Sequence, residues 1–411
     1  MTPRAPHRGT DGDDIWASRR RHPTARPVAP VRRSRVYAGL LAVIVTLNLL
    51  GLVMVLSASS VIALDTYGSS WYVVSRQAMW LLLGTIACGL VLRVDYQRWR
   101  RFSVPALAVS IGLLVLVLVP GLGTNVNGAT RWLGYGPFSL QPSELAKLTL
   151  LLFVADLLAR RAARVADLHV TLRPVAVVFG GIAVLLMLQP NLGTTLVMGS
   201  IVLSLLFVVG TPLVPLTGLA GAGAVVAAGL ALWAPYRRAR VLAFLDPWKD
   251  YQSTGYQNIQ SLVGVASGGI TGVGLGESRA KWGFLPYAHT DFIFAIIGEE
   301  LGLIGAMVVV LLFVALILLG ARAARLAPDR FGMLLATGIT VWFGVQAFVN
   351  IGAVIGILPI TGVPLPFVSY GGSSLLFSML GAGLLLNVAR QARRPTTAAH
   401  PAPRRVPASA R

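Results

Sequence analysis

One cysteine, five histidines and fifteen acidic residues are all that 411 positions supply of the side chains on which much enzyme chemistry is built. The single cysteine, Cys88, lies inside an apolar run. It excludes an intramolecular disulfide and a cysteine metal cluster, and a lone buried thiol reads as a small hydrophobe. Of His7, His22, His169, His289 and His400, only His289 falls in an ordered external stretch; there is no HExxH pair, and no Ser/His/Asp triad can be assembled. The GxGLG run at Gly272–Gly276 lacks the strand-and-helix setting of a phosphate-binding loop, which sets a nucleotide site aside. Charge is scarce too, at 12% of residues against roughly 25% in soluble domains. With 55% hydrophobic residues and a mean hydropathy of +0.73, the chain reads as a polytopic membrane protein.

What the chain has in abundance is apolar runs long enough to span a bilayer. Ten are expected, at about 36–58, 73–92, 103–119, 143–159, 174–188, 194–210, 213–234, 289–319, 331–355 and 373–390. The SASS sequence after the first (Ser57–Ser60) mimics a signal cleavage site, but the run before it is too long for a signal core, so a retained helix is expected. With the N-terminus inside, segments 1–35, 93–101, 160–173, 320–330 and 390–411 hold 26 of the 35 basic residues, the bias that cytoplasmic segments carry. The net charge of +20 is then topology signal plus attraction to anionic inner-leaflet lipid, and no nucleic-acid partner is needed to explain it. The expected organisation is a disordered basic cytoplasmic tail (1–35), an all-α ten-helix membrane domain (36–390) and a second basic cytoplasmic tail (391–411).

Three external segments, 120–142, 235–288 and 356–372, are too long or too polar to be plain connectors. The second, between the seventh and eighth runs, is far beyond ordinary loop lengths. The first holds Asn127-Gly128-Ala129-Thr130-Arg131-Trp132 and then Gln141-Pro142-Ser143-Glu144, with Lys147 one helical turn beyond Glu144. Two readings stand: an interfacial ion pair with an aromatic anchor, or a polar pocket meeting an anion through Arg131 and Lys147. A guanidinium fork suits phosphate oxygens. Gln189-Pro190-Asn191 is either a tight hairpin or a cavity wall, because irregular backbone at membrane depth needs protein or water around it. Arg279 and Lys281 supply an external cationic pair. Ser369 and Tyr370 lie in a Pro/Gly-rich stretch (Gly362–Ser374) that reads as a re-entrant loop or as a capped surface turn.

The stretch Lys281–Gly305 concentrates what acid there is. Asp291 is expected in the first turns of an apolar helix, directly after His289 and Thr290, with Glu299 and Glu300 about two turns deeper. An ionisable group at membrane depth costs at least about 2.5–3.5 kcal/mol, which makes Asp291 a functional candidate. It is equally the acid that a helix N-terminus favours. Glu299 and Glu300 read as structural pairing inside the bundle.

NGATRW, QPSELAK, QPNLGT, GYQNIQSLVGVASGGITGVGLGES, AHTDFIFAIIGEELG and PLPFVSYGGSS, in this order over about 36–390, resemble the SEDS (shape, elongation, division and sporulation) family of peptidoglycan glycosyltransferases. AIIGEELG and the long basic N-terminal tail are more similar to the division branch than to the elongation branch. Tyr287 departs from the pattern, where many members carry an acidic or small polar residue. The resemblance implies polymerisation of lipid II into glycan strands on the outer face of the bacterial cytoplasmic membrane, at the division septum, with Asp291 as the catalytic residue. Asp291 would act as general base, and Arg131, Lys147, Arg279 and Lys281, alone or with a divalent cation (Mg or Mn), would meet the lipid diphosphate. Trp132, Glu144, Gln189, His289, Thr290, Ser369 and Tyr370 would line the substrate cavity. Implied partners are a class B penicillin-binding transpeptidase and other division proteins. The residues alone leave open a lipid II flippase, a scaffold that recruits a transpeptidase, and an elongation or sporulation polymerase.

Overall fold

The structure, a computed structural model, describes residues 35–126, 129–134, 139–165, 167–252 and 255–392. Residues 1–34 and 393–411, nearly all of the two expected tails, lie outside the described residues, whereas Arg35 and Gln391 are already helical. In chain order come α1 (Arg35–Tyr67), α2 (Tyr72–Arg93), α3 (Ser103–Leu118), β1 (Gly123–Val126), β2 (Ala129–Leu133), α4 (Pro142–Arg160), α5 (Leu172–Leu188) and α6 (Leu192–Val209). Then follow α7 (Leu213–Trp233), α8 (Pro235–Leu245), α9 (Tyr256–Ser267), α10 (Ile293–Arg325), α11 (Arg330–Val354) and α12 (Gly372–Gln391). Among the described residues eight helices are long and apolar enough to cross a membrane. α4, with its four charges, and the 17-residue α5 lie at the positions of the fourth and fifth expected runs.

The departures from expectation are local. The first helix runs to Tyr67 rather than 58, and the eighth run becomes helical only at Ile293 rather than at 289. The 120–142 segment contains an antiparallel hairpin in an otherwise helical chain. It pairs Gly123 with Leu133 and Thr124 with Trp132, then shifts register to pair Asn125 with Thr130. The 235–288 segment carries two short helices, α8 and α9.

Close approach of backbones holds the bundle together, the packing expected where lipid removes most of the hydrophobic drive between helices. α12 lies along α2, with Gly84 against Met379 and Gly383 against Cys88, while Gly320 of α10 meets Thr340 of α11. α4, α11 and α12 are buried over most of their length, and α7 buries only Leu216.

The most consequential feature is a break in α10. Gly302 has φ 65° and ψ −166°, a conformation essentially reserved for glycine. The carbonyls of Glu299 and Glu300, released from the helical ladder, accept from the N–H groups of Val273 (3.0 Å) and Gly274 (3.1 Å). The N–H groups of Leu303 and Ile304 donate to Gly269 O (2.9 Å) and Ile270 O (3.2 Å). A strand-like piece of the large loop therefore satisfies the broken helix at a depth where water is scarce. A Cβ at Gly302 would overlap the backbone of Ile270 and Gly272. Gly302→Ala should accordingly cost at least about 1–3 kcal/mol of backbone strain. Thermal unfolding of the detergent-solubilised protein should show it as a midpoint lowered by several degrees; an unchanged midpoint would contradict the break as described.

Candidate active site

Tyr287 sits in the left-handed region (φ 60°), uncommon for an aromatic side chain. Its carbonyl accepts from the N–H (3.1 Å) and the hydroxyl (3.1 Å) of Thr290 and from the N–H of Phe292 (3.3 Å), closing a turn that leads into α10. Asp291 lies within this turn, two residues before the first helical position, rather than in the helix as the sequence suggested. It still faces the positive end of the helical segment that runs to the Gly302 break. Asn350 of α11 donates to Asp291 O (2.8 Å) and to Val363 O (2.9 Å), which ties the turn to the 356–371 loop. Tyr370 closes the other side: its N–H donates to His289 O (3.0 Å), and its ring centroid lies 5.6 Å from that of the imidazole. Gly362 beside the carboxylate has φ +70°, a conformation that favours glycine, and a Cβ there would stand in ordinary contact, 3.7 Å from Asp291 Oδ2.

Two arginines face this carboxylate. Burial pushes the Asp291 carboxyl up to about 6, and the guanidiniums of Arg240 and Arg131 pull against that rise. Arg131, on β2, donates through Nε to Gln189 O (2.9 Å) and through Nη2 to Pro190 O (2.6 Å). Gln189 in turn donates to Leu114 O (3.0 Å), so the Gln189-Pro190-Asn191 turn that anchors the arginine is itself tied to α3. Trp132 follows Arg131 on β2 and therefore points to the opposite face of the hairpin. Arg240, on α8, reaches Ile360 O (3.5 Å). Burial lowers the His289 imidazole and raises the Tyr370 phenol, so both stay neutral near pH 7.

Glu144 and Lys147 form a buried ion pair (2.9 Å). Lys147 also donates to Gln346 Oε1 (3.0 Å) and lies over the Trp342 ring at 5.1 Å, while Gln346 Nε2 reaches Pro364 O (2.8 Å). The pair thus supports the loop wall from behind and does not present an open cation. Glu144 Oε2, Gln189 Oε1, His289 Nδ1 and Asn350 Oδ1 are buried without a hydrogen-bond partner in the protein. Buried polar atoms left without a protein partner are the kind that ordered water or a polar ligand satisfies.

The other expected cations lie apart. Lys281 is buried, bonded to Gly276 O and 3.8 Å from Glu300. Arg279 is exposed, and its backbone N–H donates to Glu299 (2.9 Å). Ser369 is buried, its hydroxyl accepting from Leu365 N (2.8 Å) and its carbonyl from Gln77 Nε2 (3.3 Å). Sequence reasoning passed over Arg240, Asn350, Gln346 and Gln77. The last three carried a signal, as lone amides in apolar helices. Among the described residues no three His, Cys, Asp or Glu side chains come together to hold a metal ion.

Residues 38–394 match the family of FtsW, RodA and SpoVE, described as cell cycle proteins. A protein of Geobacter metallireducens named as a probable peptidoglycan glycosyltransferase FtsW is 43% identical, over 85% of this chain and 93% of its own length. Stage V sporulation protein E of Bacillus subtilis is 42% identical, over 86% and 97%. Among solved structures, a chain from a study of how a peptidoglycan synthase complex coordinates polymerization and crosslinking superposes with a TM-score of 0.70 at 32% identity, over 86% and 97% of the two chains. The rod shape determining protein RodA of Thermus thermophilus superposes with a TM-score of 0.65 at 30% identity, over 87% and 97%.

The buried pair makes its own test. Lys147→Met leaves Glu144 as an uncompensated buried charge and should cost about 3–5 kcal/mol, whereas Glu144→Gln with Lys147→Met should recover much of that loss. Thermal unfolding of the single and double variants reads the difference, and equal midpoints would refute the pairing.

Proposed function

The chain belongs to the FtsW, RodA and SpoVE family of cell cycle proteins, and on that premise we propose that it polymerises lipid II at the division septum with Asp291 as general base. It is a multi-pass membrane peptidoglycan glycosyltransferase. The observation that supports the finer reading is the Asp291 carboxylate, raised to about 6 by burial, with the guanidiniums of Arg240 and Arg131 acting on it.

The chemistry needs two things. A sugar hydroxyl of the acceptor attacks the anomeric carbon of the donor, and its proton passes to the Asp291 carboxylate. The bond from that carbon to the diphosphate oxygen breaks, and its electron pair leaves with the lipid diphosphate. A positioned base is worth about 10²–10⁴-fold. Arg131 and Arg240, which act on the Asp291 carboxylate, would meet the departing diphosphate, since two planar guanidiniums can bind its oxygens bidentately. One base and direct displacement give inversion at the anomeric carbon. A divalent cation in this reaction would be held by the substrate's own diphosphate oxygens, and no step is assigned to it. Both substrates are lipid-anchored in one bilayer, which supplies proximity. The division role and septal location rest on division-named relatives, and a transpeptidase partner rests on likeness to a chain of a complex that joins polymerization to crosslinking.

Purified protein in liposomes with labelled lipid II tests the reading, with the transpeptidase added where the isolated chain is silent. Asp291→Asn, nearly isosteric, should cut polymer formation by about 10²–10⁴-fold. Undiminished polymer from that variant would remove Asp291 from the mechanism, and scrambling of lipid II without polymer would favour transport.

The pH profile gives a second test with a fixed sign. The base form is required, so the rate should fall about tenfold per pH unit below about 6. Replacing Arg240 with Gln removes a cation that favours the carboxylate, so the acid limb should move to higher pH. A limb that stays in place or moves down would separate Arg240 from Asp291.

A further inference from the structure

The first half of α3, the second half of α4 and α5 from Val177 to Leu185 line an apolar groove of about 410 Å³. Its walls include Val104 and Ile111 of α3, Phe153 of α4, and Val177, Gly181 and Leu185 of α5. The groove opens sideways, since Val104, Val177 and Gly181 are exposed, and in a membrane protein that exposure faces lipid. Its mouth is basic on all three sides, and helical spacing sets this up. Arg173, Val177, Gly181 and Leu185 recur at four-residue intervals and share one face of α5. Arg101 precedes Val104 by one turn, and Arg160 follows Phe153 by two. Arg160 is anchored by Asp156 (2.6 Å), which also takes Arg100 (2.8 Å), so this corner is a fixed piece of structure rather than a frayed helix end.

We propose that this groove is a binding site for an anionic phospholipid of the cytoplasmic leaflet, with one acyl chain along α5 and the headgroup phosphate among Arg101, Arg160 and Arg173. From Arg173 to Leu185 is twelve residues, about 18 Å of helix, close to the roughly 15 Å of hydrocarbon in one leaflet. Basic pockets between membrane helices on the cytoplasmic side are the setting in which anionic headgroups are recognised. Gly181 makes the groove deep: a Cβ there would meet nothing within 4 Å, so the absence of a side chain serves the space and not the packing of α5. The site shares no residue with the Asp291 cavity, and the inference stands independently of the catalytic reading.

Gly181 also supplies a test, because Gly181→Leu projects into the groove from a position where the first added carbon meets nothing within 4 Å. The full chain is purified in detergent, and its melting midpoint and native mass spectrum are recorded with phosphatidylglycerol and, separately, with phosphatidylcholine. Wild type should retain phosphatidylglycerol in preference and melt higher with it. Arg101→Gln with Arg173→Gln should weaken that preference by about fivefold for each arginine removed, leaving phosphatidylcholine binding unchanged. Gly181→Leu should lose retention of both lipids while melting like wild type in lipid-free detergent, which separates a plugged groove from a misfolded protein. If either variant keeps the wild-type preference for phosphatidylglycerol, the lipid is held by general surface charge and the site is overturned.

Discussion

The fold turns on how a broken helix is satisfied inside a membrane. α10 gives up its ladder at Gly302, and the freed backbone groups are taken up by Gly269–Gly274 of the large loop rather than by water. The side chains beside the break finish the junction. Glu299 accepts from Ser278 Oγ (2.5 Å), Arg279 N (2.9 Å) and Ala280 N (3.3 Å), while Glu300 accepts from Ser57 Oγ of α1 at 2.6 and 2.7 Å. These two carboxylates are the seam between loop and bundle. The short helical segment above the break is consequently fixed at both ends, by the loop below and by Asn350 on Asp291 O above. The position of the Asp291 turn thus depends on a glycine more than two helical turns away.

Lysine and arginine divide the work around that turn. Both nearby lysines are buried and paired, Lys147 with Glu144 and Gln346, Lys281 with Glu300 and Gly276 O. A compact ammonium with rotatable donors can be enclosed this way by a few acceptors. The groups that act on the Asp291 carboxylate are guanidiniums, from β2 and α8. Each donates to backbone carbonyls at Gln189, Pro190 or Ile360, contacts that orient a planar fork. In the proposed reaction those guanidiniums are what a departing diphosphate would meet.

The ten membrane runs were legible because bilayer thickness imposes a length that a hydropathy count detects. The hairpin was missed although Asn127-Gly128 is a strong hairpin dipeptide; strands this short between polar loops offer too few residues for an alternation to stand out. The break was invisible for a different reason. Gly302 sits in an apolar run where a glycine is ordinarily tolerated, and only the facing loop backbone shows that it must be left-handed. Asp291, Arg131, Gln189, His289 and Tyr370 were all singled out from sequence, and the structure links them in pairs: Arg131 with Gln189, His289 with Tyr370, and Arg131 with the Asp291 carboxylate. Arg240 was not, because its relation to Asp291 crosses about fifty residues of loop with no periodic signal. Lys281 looked like a companion of Asp291 through proximity in sequence, yet a turn and a short helical segment direct its ammonium toward Glu300.

α4 shows why hydropathy alone misjudges this architecture. With Glu144, Lys147, Asp156 and Arg160 it is too charged to pass as a membrane span by composition, yet it is among the most buried helices in the protein. Each acid is followed three or four residues later by its cation, on the same helix face, so the helix cancels its own charge in two internal pairs. The pairs occupy opposite ends. One stands behind the loop that faces Asp291, and the other ties α4 to Arg100 and Ser103 at the far end of the bundle. A pair buried on both sides, as Glu144–Lys147 is, adds little to stability compared with an apolar core, but breaking it is costly. Their value here is positional: they fix the register of α4 against α11 and α3, and with it the spacing between the outer polar cavity and the inner basic corner.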